Sequence, residues 1–335
     1  MKVLFIGGTG RISASITQLC VEMGFDVYLL NRGKRMAAGI EGATHLSGDI
    51  NDEAQVAALL KGQNFDVVAN FINFVPEHVE RDIRLFSGIT GQYIFISSAS
   101  AYQKPPSNYL IRESTPLCNP FWEYSRNKIA CEERLIDEYR TNGFPITIVR
   151  PSHTYDKTAV PVAVHGKNGP WQVLQRMREG KPVIVHGDGT SLWTLTHSRD
   201  FAKGFVGLLG NIHAIGEAVH ITSDEVLTWN QIYKLIAREL HVEPQIFYVP
   251  TDVLVAADPE LRGTLWGDKA HSVVFDNSKI KALVPGFNAD IRFDVGVRES
   301  VANFLATPEL QRGDLEFEGF VEGVVGGKTR ADNGI

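Results

Sequence analysis

Tyr124 and Lys128 stand four residues apart in a stretch, 122–138, whose apolar positions recur with helical period, so their side chains share one face. That spacing has a chemical use. A tyrosine hydroxyl titrates near ~10, and a neighbouring ammonium favours its phenolate, so Tyr124 could exchange a proton with a substrate hydroxyl. Ser98 ends an apolar run, 93–97, and lies 26 residues before the tyrosine. At the carboxyl end of a strand its hydroxyl could orient the same substrate oxygen. Ser98, Tyr124 and Lys128 are therefore the candidate catalytic set. A tyrosine and a lysine on adjacent turns are by themselves often just an amphipathic edge, and the argument needs the rest of the chain.

The missing partner in such chemistry is a hydride carrier. Gly7-Gly8-Thr9-Gly10-Arg11-Ile12-Ser13 follows the first apolar run directly and opens a helical pattern. Glycines there allow a tight turn and close backbone approach to a pyrophosphate, whose charge the helix N-terminal amides stabilise. Gly7, Thr9, Gly10, Arg11 and Ile12 are thus expected around a dinucleotide. Ser13 stands where a third glycine is common.

After the second run an NAD site usually offers a carboxylate to the ribose, but this chain reads Asn31-Arg32-Gly33-Lys34-Arg35. Arg32, with Arg11 or Lys34, could pair with a 2′-phosphate instead, so NADP(H) is favoured over NAD(H). Asp49 and Ile50 are expected near the adenine. Asn70, Phe71 and Pro151, at the ends of later strands, are expected along the same cofactor, with Lys128 on its ribose.

The elements that must position these residues alternate. Strands are predicted at 3–6, 27–30, 44–46, 66–70, 93–97 and 147–150. Between them run helices, including 52–61, 77–85 and 122–138. This is the pattern of an α/β, doubly wound parallel sheet, a Rossmann fold, with a second, smaller C-terminal substrate domain. Residues 1–156 and 196–226 are assigned to the dinucleotide domain, 157–195 and 227–306 to the substrate lobe. The glycine-rich tail, 307–335, is either mobile or a packed arm.

Bulk properties narrow the class. The 335 residues are 44% hydrophobic and 21% charged, as in globular proteins, and no apolar run approaches the roughly 20 residues of a membrane span. No signal peptide is evident, so a cytoplasmic location is expected, with Cys20, Cys118 and Cys131 reduced. A net charge of −6 opposes nucleic acid as a partner. The ten histidines lack ligand spacing, and no metal is expected.

In order, Gly7-Gly8-Thr9-Gly10, Ser97-Ser98-Ala99-Ser100-Ala101-Tyr102, Tyr124-Ser125-Arg126-Asn127-Lys128 and Arg150-Pro151-Ser152-His153-Thr154-Tyr155 resemble the extended short-chain dehydrogenases. The resemblance is to the NAD-dependent epimerase/dehydratase family and covers roughly 1–305. It implies Ser98, Tyr124 and Lys128 as the catalytic triad, and hydride transfer at a secondary alcohol or carbonyl of a sugar-like small molecule. A homodimer is compatible with it.

Two departures narrow the chemistry. Where the family's dehydratases carry Asp-Glu this chain has Ala99-Ser100, which disfavours elimination. Where its UDP-sugar epimerases carry a pyrophosphate-clamping arginine this chain has Trp193, with Arg262 as a substitute from another loop. Phe74, Ser100, His153, Trp193 and Arg262 are the candidate substrate contacts, and Phe121 and Trp122 are nearby aromatics. The alternatives are a nucleotide-sugar epimerase, and an RNA-binding protein on an epimerase-like scaffold, since some relatives with an Asn-Arg-Gly turn bind RNA.

Overall fold

The computed structural model describes residues 1–32 and 40–327; Gly33, Lys34 and Arg35 of the basic turn lie outside the described residues. Seven strands build the main sheet. They are β1 (Lys2–Ile6), β2 (Asp26–Asn31), β3 (Thr44–Ser47), β4 (Val67–Asn70), β5 (Tyr93–Ile96), β6 (Ile146–Pro151) and β7 (Ala218–Ile221). All pair in parallel, in the order β3-β2-β1-β4-β5-β6-β7. The order reverses between β1 and β4, and such a switch point opens a crevice at the carboxyl ends of the strands.

Parallel strands covered on both faces read as unbroken apolar runs, and Val3-Leu4-Phe5-Ile6 shows why. Val3 and Phe5 pack with Ile16, Cys20, Phe201 and Phe205 on one face. Leu4 and Ile6 pack with Val56, Val79, Phe86 and Leu135 on the other. The first face is covered by α1 (Ser13–Glu22) beside the helix Ser198–Leu208, which meet through Ser15 Oγ and Ser198 Oγ at 2.9 Å. The second is covered by α2 (Glu53–Leu59), α3 (Pro76–Phe86) and α4 (Glu123–Asn142). The last helix runs one turn beyond its predicted end, to Gly143, whose φ of +72° supplies the left-handed stop. β7 is additional to the six strands marked in the sequence.

A separate core forms beyond the sheet, around Trp171, Leu174, Trp229, Ile232, Phe293 and Val297. The tail joins it. Leu315–Val325 is a helix capped by Asp314, whose carboxylate accepts from the Phe317 N–H at 3.0 Å. Phe317, Val321 and Val324 are buried in that core, and the buried Arg176 binds Glu318 at 2.8 Å and Glu322 at 2.7 Å. Of the two expectations for the tail, the packed arm describes it through Gly327. Among the described residues no helix is long and apolar enough to cross a membrane.

Candidate functional site

The glycine turn connects β1 to α1. Gly7 has φ of +79°, and a Cβ there would lie 2.7 Å from Ile72 Cγ2; one on Gly8 would lie 2.6 Å from Leu29 Cδ2. The positive φ disfavours any side chain at Gly7, and one at Gly8 would require Leu29 to shift. Ser13 closes the turn: its Oγ donates to Gly7 O at 2.7 Å and accepts from Gly10 N at 2.8 Å. The serine at the third-glycine position thus braces the loop. Arg11 and Ile12 stand just before α1, where first-turn amides have no intrahelical partner, so an anion fits there. These residues fit a dinucleotide's pyrophosphate.

Other expected cofactor contacts divide. Arg32 is exposed at the end of β2, and the Arg11 side chain is half exposed, with Nε 3.9 Å from Asp156. Asp49 is half-buried and its carboxylate accepts from Asn51 N at 3.0 Å, while Ile50 packs into the sheet layer. Asn70 is fully buried and committed within the protein, donating to Asp82 at 2.6 Å and accepting from Ile72 N at 2.9 Å. Phe71 packs edge-on against Phe5, with centroids 5.8 Å apart.

At the end of β5, Ser98 caps the short turn Ala99–Ala101, accepting from Ser100 N at 3.1 Å. Its Oγ lies 2.8 Å from Ser100 Oγ, to which Ser125 Oγ donates at 2.7 Å. Ser100, proposed from sequence as a substrate contact, also lines the cavity, and it positions Ser98. The Tyr124 ring is held by Trp122, with centroids 4.9 Å apart, and by Phe74 at 6.5 Å. Burial raises the Tyr124 hydroxyl above its ordinary 10.0, and its hydrogen bond with Ser98 works against that rise. Lys128 Nζ lies 5.7 Å from the same ring. Nζ donates to Ile96 O at 2.7 Å and to Asn73 O, which leaves one of its three protons. Burial pulls Lys128 down from 10.5 to about 8.

These groups face a cavity of about 220 Å³ whose wall includes Ser98, Tyr124, Pro151, His153 and Trp193. Burial, with Lys269 and Arg11 adding to it, pushes His153 down to about 3, so the ring is neutral at working pH. Trp193 is buried and packs on Trp229 at 5.6 Å. Phe74 is 47% exposed beside Tyr124. Arg262, expected as a substitute from another loop, has its guanidinium over Phe121 at 5.8 Å and Trp266 at 5.9 Å, and it lines neither this cavity nor the next. An arginine flanked by two rings finds its partner there.

Sequence reasoning missed Lys104 and Asp268, which line the same cavity. Neither carries a local motif; the one signal is that Asp268-Lys269 places charges after the apolar Leu265-Trp266-Gly267. A second cavity, about 710 Å³, lies between the segment 257–264, Lys269 and the tail helix. Among the described residues no group of three or more His, Cys, Asp or Glu is arranged for a metal.

Comparison with known proteins agrees with this geometry. The chain is 28% identical over 251 residues to the chloroplast stem-loop binding protein of 41 kDa b of Arabidopsis thaliana, covering 71% of this chain and 62% of that one. It is 23% identical over 240 residues to 2′-dehydrokanamycin reductase of Streptomyces kanamyceticus, covering 72% and 67%. The chain thus spans about two thirds of these curated relatives. In fold it is similar to the UDP-glucose 4-epimerase of Thermus thermophilus in complex with NAD, with a TM-score of 0.70 at 20% identity over 92% of this chain and 100% of that one. Residues 3–222, from β1 through β7, match the model of one family, and the chain belongs to it: the NAD dependent epimerase/dehydratase family.

Proposed function

We propose that this chain moves hydride between a nicotinamide dinucleotide and a secondary alcohol or ketone of a sugar-sized molecule. The observation that carries the reading is that Ser98 and Tyr124 line one cavity, with Lys128 Nζ 5.7 Å from the tyrosine ring. A dinucleotide, when bound, supplies or accepts the hydride. Ser98 orients the substrate oxygen, Tyr124 gives it or takes from it a proton, and Lys128 keeps positive charge beside the phenol. The remaining Lys128 proton is available to a ribose hydroxyl.

NADP(H) is the proposed cofactor, ahead of NAD(H), because Asn31 stands where a ribose-binding carboxylate is expected and the next residue, Arg32, is exposed and able to pair with a 2′-phosphate. The substrate is proposed to be smaller than a nucleotide sugar. The catalytic cavity, at about 220 Å³, lies below the range of about 300–1,000 Å³ that holds drug-sized ligands. The neighbouring cavity sets Lys167 and Lys269 against Asp258, Glu260, Asp314 and Glu316, an unfavourable lining for a diphosphate. A cytoplasmic setting belongs to the same proposal, supported by three free cysteines.

Tyr124→Phe tests the mechanism. It removes one oxygen and keeps the ring's packing against Trp122, so turnover of a sugar alcohol should vanish while dinucleotide affinity stays. Near-normal turnover would remove Tyr124 from the chemistry. A second reading, RNA binding on this scaffold, is supported by the likeness to the stem-loop binding protein. The net charge of −6 and the assembled triad weigh against it, and salt-sensitive RNA binding together with no dinucleotide-dependent turnover would favour it.

A further inference from the structure

Lys104 is 4% exposed and lines the catalytic cavity with Ser98 and Tyr124, yet among the described residues its ammonium makes no hydrogen bond or ion pair. The backbone holds it in place: Lys104 N donates to Cys118 O at 2.8 Å, and Gln103 N to Pro116 O at 2.8 Å. A buried ammonium without a partner is costly, and ligand sites are where such groups persist.

The one carboxyl group in the wall is engaged elsewhere. Asp268 is the one carboxyl group among the residues lining the cavity, and it already lies 3.8 Å from Lys269 Nζ. That carboxyl group stops short of ion-pair distance from Lys104, so the Lys104 ammonium faces the cavity without a partner of its own. The cavity's volume of about 220 Å³ equals about seven waters at about 30 Å³ each.

We propose that Lys104 is a substrate-binding residue that receives one anionic substituent, a carboxylate or a phosphate monoester, on a monosaccharide-sized substrate whose reacting carbon faces Tyr124. This rests on the hydride-transfer reading and adds to it the class of substrate. The anion accepts a charge-assisted hydrogen bond from Lys104 Nζ and gives the ammonium the partner it lacks. An ammonium is a compact point donor with rotatable protons, so either anion satisfies it.

Calorimetry on the full chain, saturated with NADP⁺ or NAD⁺, tests the proposal. The probes are D-glucuronate, D-galacturonate and D-glucose 6-phosphate against neutral D-glucose and D-galactose. At least one anionic probe should bind about tenfold or more tightly than its neutral counterpart, the size of one charge-assisted hydrogen bond. The arm that responds distinguishes carboxylate from phosphate. Lys104→Met and Lys104→Gln should each erase the difference while retaining dinucleotide binding, which reports that the fold survives. Equal binding of neutral and anionic probes, binding of none, or a preference that persists in both variants would overturn the assignment. Each outcome concerns recognition and not turnover, so this inference can fail while the Tyr124→Phe experiment still upholds hydride transfer, and the reverse also holds.

Discussion

Lys128→Met offers a test of the buried ammonium that needs no substrate. Burial lowers Lys128 from its ordinary 10.5 to about 8, a difference worth about 3–4 kcal/mol at about 1.4 kcal/mol per pH unit. Below pH 8 both folded and unfolded chains hold the proton, and the folded protein bears that cost in full. Between 8 and 10.5 the unfolded chain holds a proton that the folded one has lost, so this group makes stability rise with pH. Methionine fills a similar volume and does not titrate. The stability of the native protein minus that of Lys128→Met, without dinucleotide, should therefore increase by about 2 kcal/mol from about pH 7 to about pH 9.5. Taking the difference is necessary because burial pushes Cys20 and Cys131 up to about 12, and their effect has the opposite sign above their ordinary 9.0. Both thiols are present in both proteins and largely cancel. Denaturant titrations at several pH values read the quantity directly. A difference that stays flat, or falls, would show that Lys128 is not desolvated as its two carbonyl contacts imply.

NADP⁺ should bind more tightly than NAD⁺, and Arg32→Ala should reduce that preference by about tenfold, measured by titrating both dinucleotides; an NAD⁺ preference indifferent to the substitution would contradict the charge argument. UDP should bind more weakly than about 1 mM by calorimetry, because Trp193 offers no cation and Arg262 is stacked away from both cavities. Micromolar binding that Lys269→Met weakens would show that the larger cavity accepts a diphosphate after all. Phe317→Ala should cost about 3 kcal/mol in denaturant titration, as expected for truncating a ring buried in the lobe's core, and no loss would mean the tail helix contributes little.

Most of the sheet was legible because its strands are covered on both faces and so are apolar throughout. β7 was not, since Ala218-Val219-His220-Ile221 places a histidine mid-run after Gly216-Glu217. That histidine is fully buried and satisfied by partners distant in sequence, Tyr102 at 3.0 Å and Asp276 O at 2.9 Å. The tail helix was ambiguous for a different reason. Phe317, Val321 and Val324 keep helical spacing, but Gly319 and Gly323 weaken the local preference, and packing on Trp171's core supplies what propensity does not. Tyr124 and Lys128 were legible because one helix carries both. Lys104 and Asp268 are far apart in the sequence, and only tertiary structure brings them to one cavity.

What holds Lys128 was equally hidden, although the residue itself was not. One of its two acceptors, Asn73 O, lies 55 residues earlier, in the loop after β4. That loop is fixed by Asp82 of α3, fully buried, whose carboxylate accepts from Asn70 at 2.6 Å, Asn73 at 2.7 Å and Tyr93 at 2.6 Å. Arg81 completes the cluster, donating to Asp82 at 2.8 Å and to Asn73 Oδ1 at 2.8 Å. A buried carboxylate is tolerable only when its lone pairs are satisfied, and here a guanidinium, two amides and a phenol satisfy it. The donors come from β4, the loop after it, α3 and β5, so the cluster locks those elements together beneath the site. The carbonyl presented to Lys128 is rigid for that reason, and a rigid carbonyl is what lets an ammonium stay buried beside the tyrosine ring instead of withdrawing to solvent.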